Sequence, residues 1–163
     1  MAEYFKVGPD VITLAEELIE AHHPKLVSAN IGIIFRDEAP TSGGKSVYGK
    51  ASKVSAQWRP LLSQEYDFII WLAHDIWKGV LTKHQRRALL DHELCHCTSE
   101  DGSFKLVGHD VEEFNVIVRR YGLWRPSLKE MDHAIQGRLD FDELESRNGR
   151  VTAIEAQPGL DLD

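Results

Sequence analysis

The sequence contains very little cysteine. Only Cys95 and Cys97 occur among its 163 residues, and they lie two positions apart on a predicted helix, where their side chains point to different faces. Two such thiols cannot easily pair with each other. A framework of disulfide bonds is therefore excluded, which fits a reducing compartment.

Long apolar runs are missing as well. No stretch approaches the ~18 consecutive apolar residues of a membrane span. The first residues, Met1 to Lys6, lack the basic and apolar regions of a signal peptide. We therefore expect a cytoplasmic protein without a membrane partner.

Positive charge is scarce relative to negative charge, and the formal net charge is -7. Tight binding to a phosphate backbone needs lysine and arginine side chains that neutralise the phosphates. We therefore expect no nucleic acid as a tight direct partner, although a local basic patch is compatible with this composition. The length of 163 residues fits one domain with a real core, and the composition leaves the oligomeric state open.

Hydrophobic periodicity predicts a mixture of helices and strands. Apolar residues recur on one helical face between Val11 and Ala21. Alternation over residues 29–36 predicts a strand, and the continuous apolar run at 68–73 predicts a strand covered on both faces. Residues 47–58 combine β-forming residues with lysines, which is typical of an exposed edge strand, whereas residues 37–44 have the composition of a loop.

The stretch from Leu90 to Cys97 contains the pattern H-E-x-x-H, formed by His92, Glu93 and His96. On a helix the two histidines lie one turn apart on the same face, so they can share a metal ion. Glu93 then lies close enough to act as a general base on a metal-activated water. This combination predicts hydrolase chemistry.

The segment before this pattern has the form of a capping box, with Thr82 at the N-cap and Gln85 at the third helical position. We expect the helix to run from there to about Cys97 and to be broken by Asp101 and Gly102. The histidine pair therefore has the secondary structure that it needs.

A catalytic zinc usually takes three protein ligands, so a third ligand must come from beyond this helix. His109 is favoured because it follows Gly108, which allows a tight backbone path, and precedes a predicted helix that ends at Gly122. Asp110, Glu112 and Glu113 are the alternatives. Asp110 is also expected to cap that helix in a box with Glu113, which would leave both carboxylates less available.

A third helix is predicted to begin at Ser127 and to place Leu128, Met131, Ile135 and Leu139 on one side. We expect one domain over residues 1–145. Residues 146–163 have little to bury and are expected to form a flexible tail.

The pattern at residues 92–96 is followed by G-H-D-V-E-E-F at residues 108–114, in which His109 lies thirteen residues after His96. This combination resembles the SprT-like (Spartan-type) zinc metalloproteases. The chain also resembles the phage metallopeptidases, which are small single-domain proteins of phages and prophages. The residues that carry this resemblance lie within about residues 68–122. This resemblance implies that His92, His96 and His109 bind one zinc ion and that Glu93 is the catalytic base. It also implies the cytoplasm of a bacterial host as the location.

One residue departs from the Spartan-type pattern, since Asp110 stands where that pattern has glycine. No basic or zinc-finger module for DNA binding follows the predicted domain. Both observations argue against cleavage of DNA-crosslinked proteins and leave the substrate open.

The fold class that we expect is α+β, a zincin-like minidomain with a small mixed sheet, an H-E-x-x-H helix and two following helices. The predicted function is a zinc-dependent endopeptidase that acts on a protein or peptide substrate with Glu93 as base. The alternative is a non-catalytic zinc-containing protein that binds or regulates a host factor. Another divalent metal could take the place of zinc at a histidine site.

Overall fold

The computed structural model describes residues 1–57 and 59–147, and for residues 139–147 it describes the helix but not the side chains. The chain divides into two compact units, Met1–His109 and Asp110–Asp163. The architecture of the described part is mixed α+β with small sheets and five α-helices, which confirms the predicted class. The domain boundary expected after residue 145 stays a prediction.

The first unit holds eight strands and three α-helices among its described residues. The strands are β1 (Tyr4–Lys6), β2 (Ile31–Arg36), β3 (Thr41–Ser42), β4 (Lys45–Ser46), β5 (Gly49–Lys53), β6 (Phe68–Ala73), β7 (Cys97–Glu100) and β8 (Ser103–Leu106). The helices are α1 (Pro9–His22), α2 (His74–Gly79) and α3 (Lys83–Cys95), and short 3-10 turns lie at Pro24–Leu26 and Arg59–Leu61.

The main sheet has the strand order β1-β2-β6-β5, with β2 and β6 parallel and the outer strands antiparallel to their neighbours. The apolar run predicted to be covered on both faces forms β6, and its residues Phe68, Ile70 and Leu72 are fully buried. The lysine-bearing segment forms the edge strand β5, with exposed side chains at Lys50 and Lys53. Both strands are present as predicted, but β5 is shorter than the predicted segment of residues 47–58, and two residues on the other face of β6 are only half-buried.

Helix α1 begins and ends where its periodicity predicts. Its buried residues are Val11, Ala15 and Leu18, which join the core together with residues of β2 and β6. Helix α3 contributes Leu90 and Leu94, which have no exposed surface. The two helices and the sheet therefore share one hydrophobic core, and α3 is held in place by its two leucines.

The expected loop at residues 37–44 includes β3, which pairs with β4 just beyond it in a small hairpin. It leads directly into Val47, Tyr48 and the edge strand β5. Trp58, at the end of the segment predicted as a strand, lies outside the described residues.

The helix that carries H-E-x-x-H is shorter than expected, because α3 ends at Cys95 rather than near Cys97. Cys97 instead starts β7, which pairs with β8 in a hairpin. The hairpin turns at Asp101 and Gly102, which have φ values of 51° and 75°. A two-residue turn of this kind needs positive φ at both positions, and Asp-Gly is a preferred sequence for it. These residues therefore form a hairpin turn rather than simply breaking a helix.

The second unit contains α4 (Asn115–Tyr121) and α5 (Pro126–Arg147). The predicted capping box at Asp110 and Glu113 is wrong, because α4 begins only after Phe114. The carboxylate of Glu113 accepts hydrogen bonds from the backbone N–H of Phe114 (2.9 Å) and from Trp124 Nε1 (3.2 Å). These contacts take up the carboxylate that the capping box would have used.

Helix α5 begins at Pro126, one residue before the predicted start, since proline suits the first turn of a helix. Leu128 is buried as expected, whereas Met131 and Ile135 are exposed. The predicted tail lies outside the described residues from residue 148 onward. Among the described residues, no helix combines the length and the apolar character that a membrane crossing requires.

Candidate metal centre

The N-terminus of α3 is fixed by the predicted capping box. Gln85 donates its backbone N–H to the Thr82 hydroxyl at 3.2 Å, and Thr82 donates its backbone N–H to the Gln85 side chain at 2.9 Å. His92 and Glu93 lie in the last turn of this helix, and His96 is its C-cap with helical φ and ψ of -67° and -22°. The near-helical path through His96 keeps the two histidines one turn apart.

Three imidazole rings converge at the end of α3. One ring nitrogen each of His92, His96 and His109 lies within 4.8 Å of the others. The ring centroids are 4.6 to 5.0 Å apart, and the Nε2 atoms of His92 and His109 are separated by 3.1 Å. Tetrahedral zinc with Zn–N bonds of 2.0–2.1 Å would separate two ligand nitrogens by about 3.3 Å. The three donors therefore fit an ion of this type and leave a fourth position open.

The hairpin of β7 and β8 brings His109 back to α3. Val107 donates its backbone N–H to the carbonyl oxygen of His96 at 2.8 Å, and the His96 Nδ1 lies 2.8 Å from the carbonyl oxygen of Val107. The latter contact favours the tautomer that donates from Nδ1 and keeps the Nε2 lone pair for a ligand. The contacts between His96 and Val107 thus orient the His96 imidazole and fix the backbone path that leads to His109.

The electrostatics of the cluster favour a neutral ring at His92. Burial lowers the pKa of His92 below its usual value, and repulsion from His96 and His109 lowers it further. A histidine must be neutral to bind a metal ion. His92 is therefore prepared to bind a cation rather than a proton.

Glu93 is the only charged residue among the described ones that is classed as buried, with 4% of its surface exposed. Burial raises the pKa of its carboxyl group, while His96, the backbone N–H of Ala51 and His109 act in the opposite direction. The Ala51 N–H on β5 donates to the Glu93 carboxylate. The edge strand therefore fixes the position of this side chain of α3. A Cβ atom at Gly49 would lie 2.8 Å from Glu93 Oε1.

A cavity of about 690 Å³ opens over the three histidines and Glu93. Its remaining wall is formed by Ser46, Val47, Tyr48, Gly49, Lys50, Ala51, Ala88, Leu89, Leu106 and Val107. This wall is mainly apolar, with Lys50 as its one cation. The cavity has room for peptide side chains beside the histidine cluster.

The structure brings together the four residues singled out by the sequence, since His92, Glu93, His96 and His109 all line this cavity. Their roles stay predictions. The alternative ligands, Asp110 and Glu112, belong to the second unit and stay open.

A second group of potential ligands was not found from the sequence. His23 Nε2 lies 2.6 Å from Asp91 Oδ1, and Cys95 adds a sulfur atom such that the three donor atoms lie within 4.8 Å of one another. The spacing of Asp91 and Cys95, four residues apart on a helix, was a signal that could have been noticed. Their contact with His23 depends on how α1 packs against α3, which no local pattern reveals.

Comparison with known proteins gives one family. A family model described as "Putative phage metallopeptidase" matches residues 3–134, a stretch that contains all four cavity residues named above. No curated protein and no solved structure matches the chain.

Proposed function

The chain belongs to the phage metallopeptidase family, and from this premise we propose that it is a zinc-dependent endopeptidase with His92, His96 and His109 as metal ligands and Glu93 as general base. Family membership implies a metal-dependent hydrolase that acts on protein or peptide substrates. Zinc, the ligand set and the base are the parts that we add. The alternative third ligands, Asp110 and Glu112, are included in the test below.

The observation that carries the proposal is the convergence of three imidazole nitrogens beside a buried carboxylate. Three neutral histidines with an open fourth position are a donor set typical of catalytic zinc. When bound, zinc supplies Lewis acidity, which polarises the scissile carbonyl group and lowers the pKa of water.

Glu93 would act as the base. Burial raises the proton affinity of its carboxylate, which suits a group that must take a proton from the attacking water and return it to the leaving nitrogen. The hydrogen bond from the Ala51 N–H keeps the carboxylate at the cavity wall. A purely structural zinc site would have no use for a base in this position.

The edge strand β5 offers a way to bind an extended substrate. Ala73 donates its N–H to the Tyr48 carbonyl (2.8 Å), and Val54 donates to the Asp67 carbonyl (2.9 Å). Because hydrogen-bonded pairs alternate along antiparallel strands, Gly49, Ala51 and Lys53 direct their backbone groups away from β6, and Glu93 already accepts the Ala51 N–H. A peptide could pair with the remaining groups as an added strand. Its apolar side chains would meet the apolar cavity wall.

The test measures zinc content and proteolysis for the wild type, Glu93→Gln and His109→Ala, with unfolded casein as a general substrate. His84→Ala is the matched control, because His84 is exposed on the same helix. We expect Glu93→Gln to keep one zinc at these ligands and to lose cleavage by ~10²-fold or more. We expect His109→Ala to lose that zinc and cleavage, and the control to keep both.

Full zinc occupancy of this site in His109→Ala would reject the third ligand, and zinc loss in Asp110→Ala or Glu112→Ala would identify the replacement. A Glu93→Gln variant with wild-type cleavage would reject the base. If that variant lost cleavage but kept the biological effect, a binding or regulatory protein would be the better description.

A further inference from the structure

A second set of metal-ligating side chains lies on another face of α3. Asp91 and Cys95 are one turn apart on this helix, and His23 reaches them from the end of α1. His23 Nε2 lies 2.6 Å from Asp91 Oδ1. One donor atom each of His23, Asp91 and Cys95 lies within 4.8 Å of the other two. The group therefore combines an imidazole nitrogen, a carboxylate oxygen and a thiol sulfur.

We propose that His23, Asp91 and Cys95 form a second metal site, which binds one divalent cation of the zinc type. Zinc accepts nitrogen, oxygen and sulfur ligands at about 2.0 to 2.3 Å, so its ligand atoms lie about 3.3 to 3.6 Å apart. The His23–Asp91 separation of 2.6 Å is shorter than that range, and no separation in the group exceeds 4.8 Å. Side-chain rotation of Asp91 and Cys95 would adjust the three donors to ligand distance.

The backbone around this site is well fixed. His23 donates its N–H to the Ile19 carbonyl at 3.0 Å, and its own carbonyl accepts the Leu26 N–H at 2.9 Å. Asp91 and Cys95 stand on a helix whose start is capped. Ligands on such fixed elements lose little conformational freedom when a metal binds.

The site is also accessible. The Asp91 side chain keeps 35% of its surface exposed, the His23 side chain keeps 11%, and Cys95 is exposed. A cation can therefore enter without local unfolding, and water can complete a tetrahedral shell. The bound ion would join the end of α1 to the turn of α3 that carries His92 and His96.

The sulfur ligand sets the metal preference of this site. Thiolate favours zinc, cobalt and cadmium over magnesium and calcium, which prefer oxygen ligands. The cluster of His92, His96 and His109 contains no sulfur. A cobalt ion at the proposed second site would therefore show thiolate-to-metal charge-transfer absorption in the near ultraviolet, and a cobalt ion at the three histidines would not.

The experiment is a titration of the full-length, metal-free, reduced protein with Co²⁺. We expect two equivalents to bind, with the charge-transfer band accompanying one of them. Cys95→Ser should lose the band and one equivalent, and His23→Ala should lose the band. Cys97→Ala is the matched cysteine control and should keep the band, as should His109→Ala, which removes a ligand of the other cluster.

An absent band in the wild type, or an unchanged cobalt stoichiometry in Cys95→Ser, would overturn the second site. The far-ultraviolet circular dichroism of each variant must match that of the wild type. If the spectrum of His23→Ala differs, His23→Gln is used in its place. The outcome is independent of the proposed peptidase activity, because His109→Ala separates the two sites.

Discussion

The backbone of Gly49 lies directly against the carboxylate of Glu93. A Cβ atom at position 49 would come within 2.8 Å of Glu93 Oε1 and within 3.1 Å of Cδ. Gly49 does not have a left-handed φ, so glycine is needed there for space rather than for conformation. The first residue of the edge strand therefore determines how close the strand and Glu93 can approach.

We expect Gly49→Ala to displace the Glu93 side chain and to lower kcat by ~10 to 100-fold, because small misplacements of a reacting group are costly. Zinc content should not change, since no histidine moves. Gly79→Ala is the matched control, because a Cβ there meets nothing within 4 Å. The measurement is kcat on a peptide substrate at equal metal content. Wild-type kcat in Gly49→Ala would show that Glu93 tolerates the added methyl group.

Elements defined by local patterns could be predicted from the sequence. The periodicity of α1, the apolar run of β6 and the capping box at Thr82 each lie within one short segment, and the structure has all three. The histidine pair of α3 belongs to the same class, because helical spacing alone brings His92 and His96 together.

Features that depend on packing between distant segments could not be predicted. The contact of Gly49 with Glu93 joins residues 44 positions apart, and that of His23 with Asp91 joins residues 68 apart. The capping box expected at Asp110 failed for a related reason. Glu113 instead accepts hydrogen bonds from Phe114 and Trp124, and nothing in the local sequence pattern predicts Trp124 as a partner.

The capping box at the start of α3 should stabilise the first unit. Thr82→Ala removes the hydroxyl that accepts the Gln85 N–H, and we expect it to lower the free energy of unfolding by about 1 kcal/mol. Thr82→Ser keeps an accepting hydroxyl and should stay close to the wild type. Urea unfolding followed by circular dichroism measures both. Equal midpoints for Thr82→Ala and the wild type would mean that the cap contributes nothing.

The buried thiol of Cys97 should make the protein sensitive to alkali. Burial, and secondarily the charge of Glu93, raise the pKa of this thiol from 9.0 to about 12. The unfolded chain loses the Cys97 thiol proton at lower pH than the folded chain does. The stability that comes from keeping this thiol protonated is therefore complete below pH 9 and is lost as pH rises toward 12.

We therefore expect the wild type to lose stability relative to Cys97→Ala above pH 9, by up to about 1.4 kcal/mol per pH unit. The comparison of the two proteins cancels the titration of other groups. Both proteins are measured free of metal, so that metal binding does not contribute to the difference. Urea midpoints measured from pH 8 to pH 10 test this, and parallel curves for the wild type and Cys97→Ala would contradict it.

The two glycines of the segment that returns His109 to α3 should differ in importance. Gly102 has a φ of 75° at the hairpin turn, a conformation that costs other residues about 1 to 2 kcal/mol. Gly108 has neither a left-handed φ nor a neighbour within 4 Å of a built Cβ, so the tight backbone path expected there does not require glycine.

Gly102→Ala should lower the free energy of unfolding by about 1 to 2 kcal/mol and weaken zinc binding, because the hairpin leads to His109. Gly108→Ala should do neither. Urea unfolding and zinc competition with a chromophoric chelator measure the two effects. Weaker zinc binding in Gly108→Ala than in Gly102→Ala would show that the path through residue 108, rather than the hairpin turn, determines the position of His109.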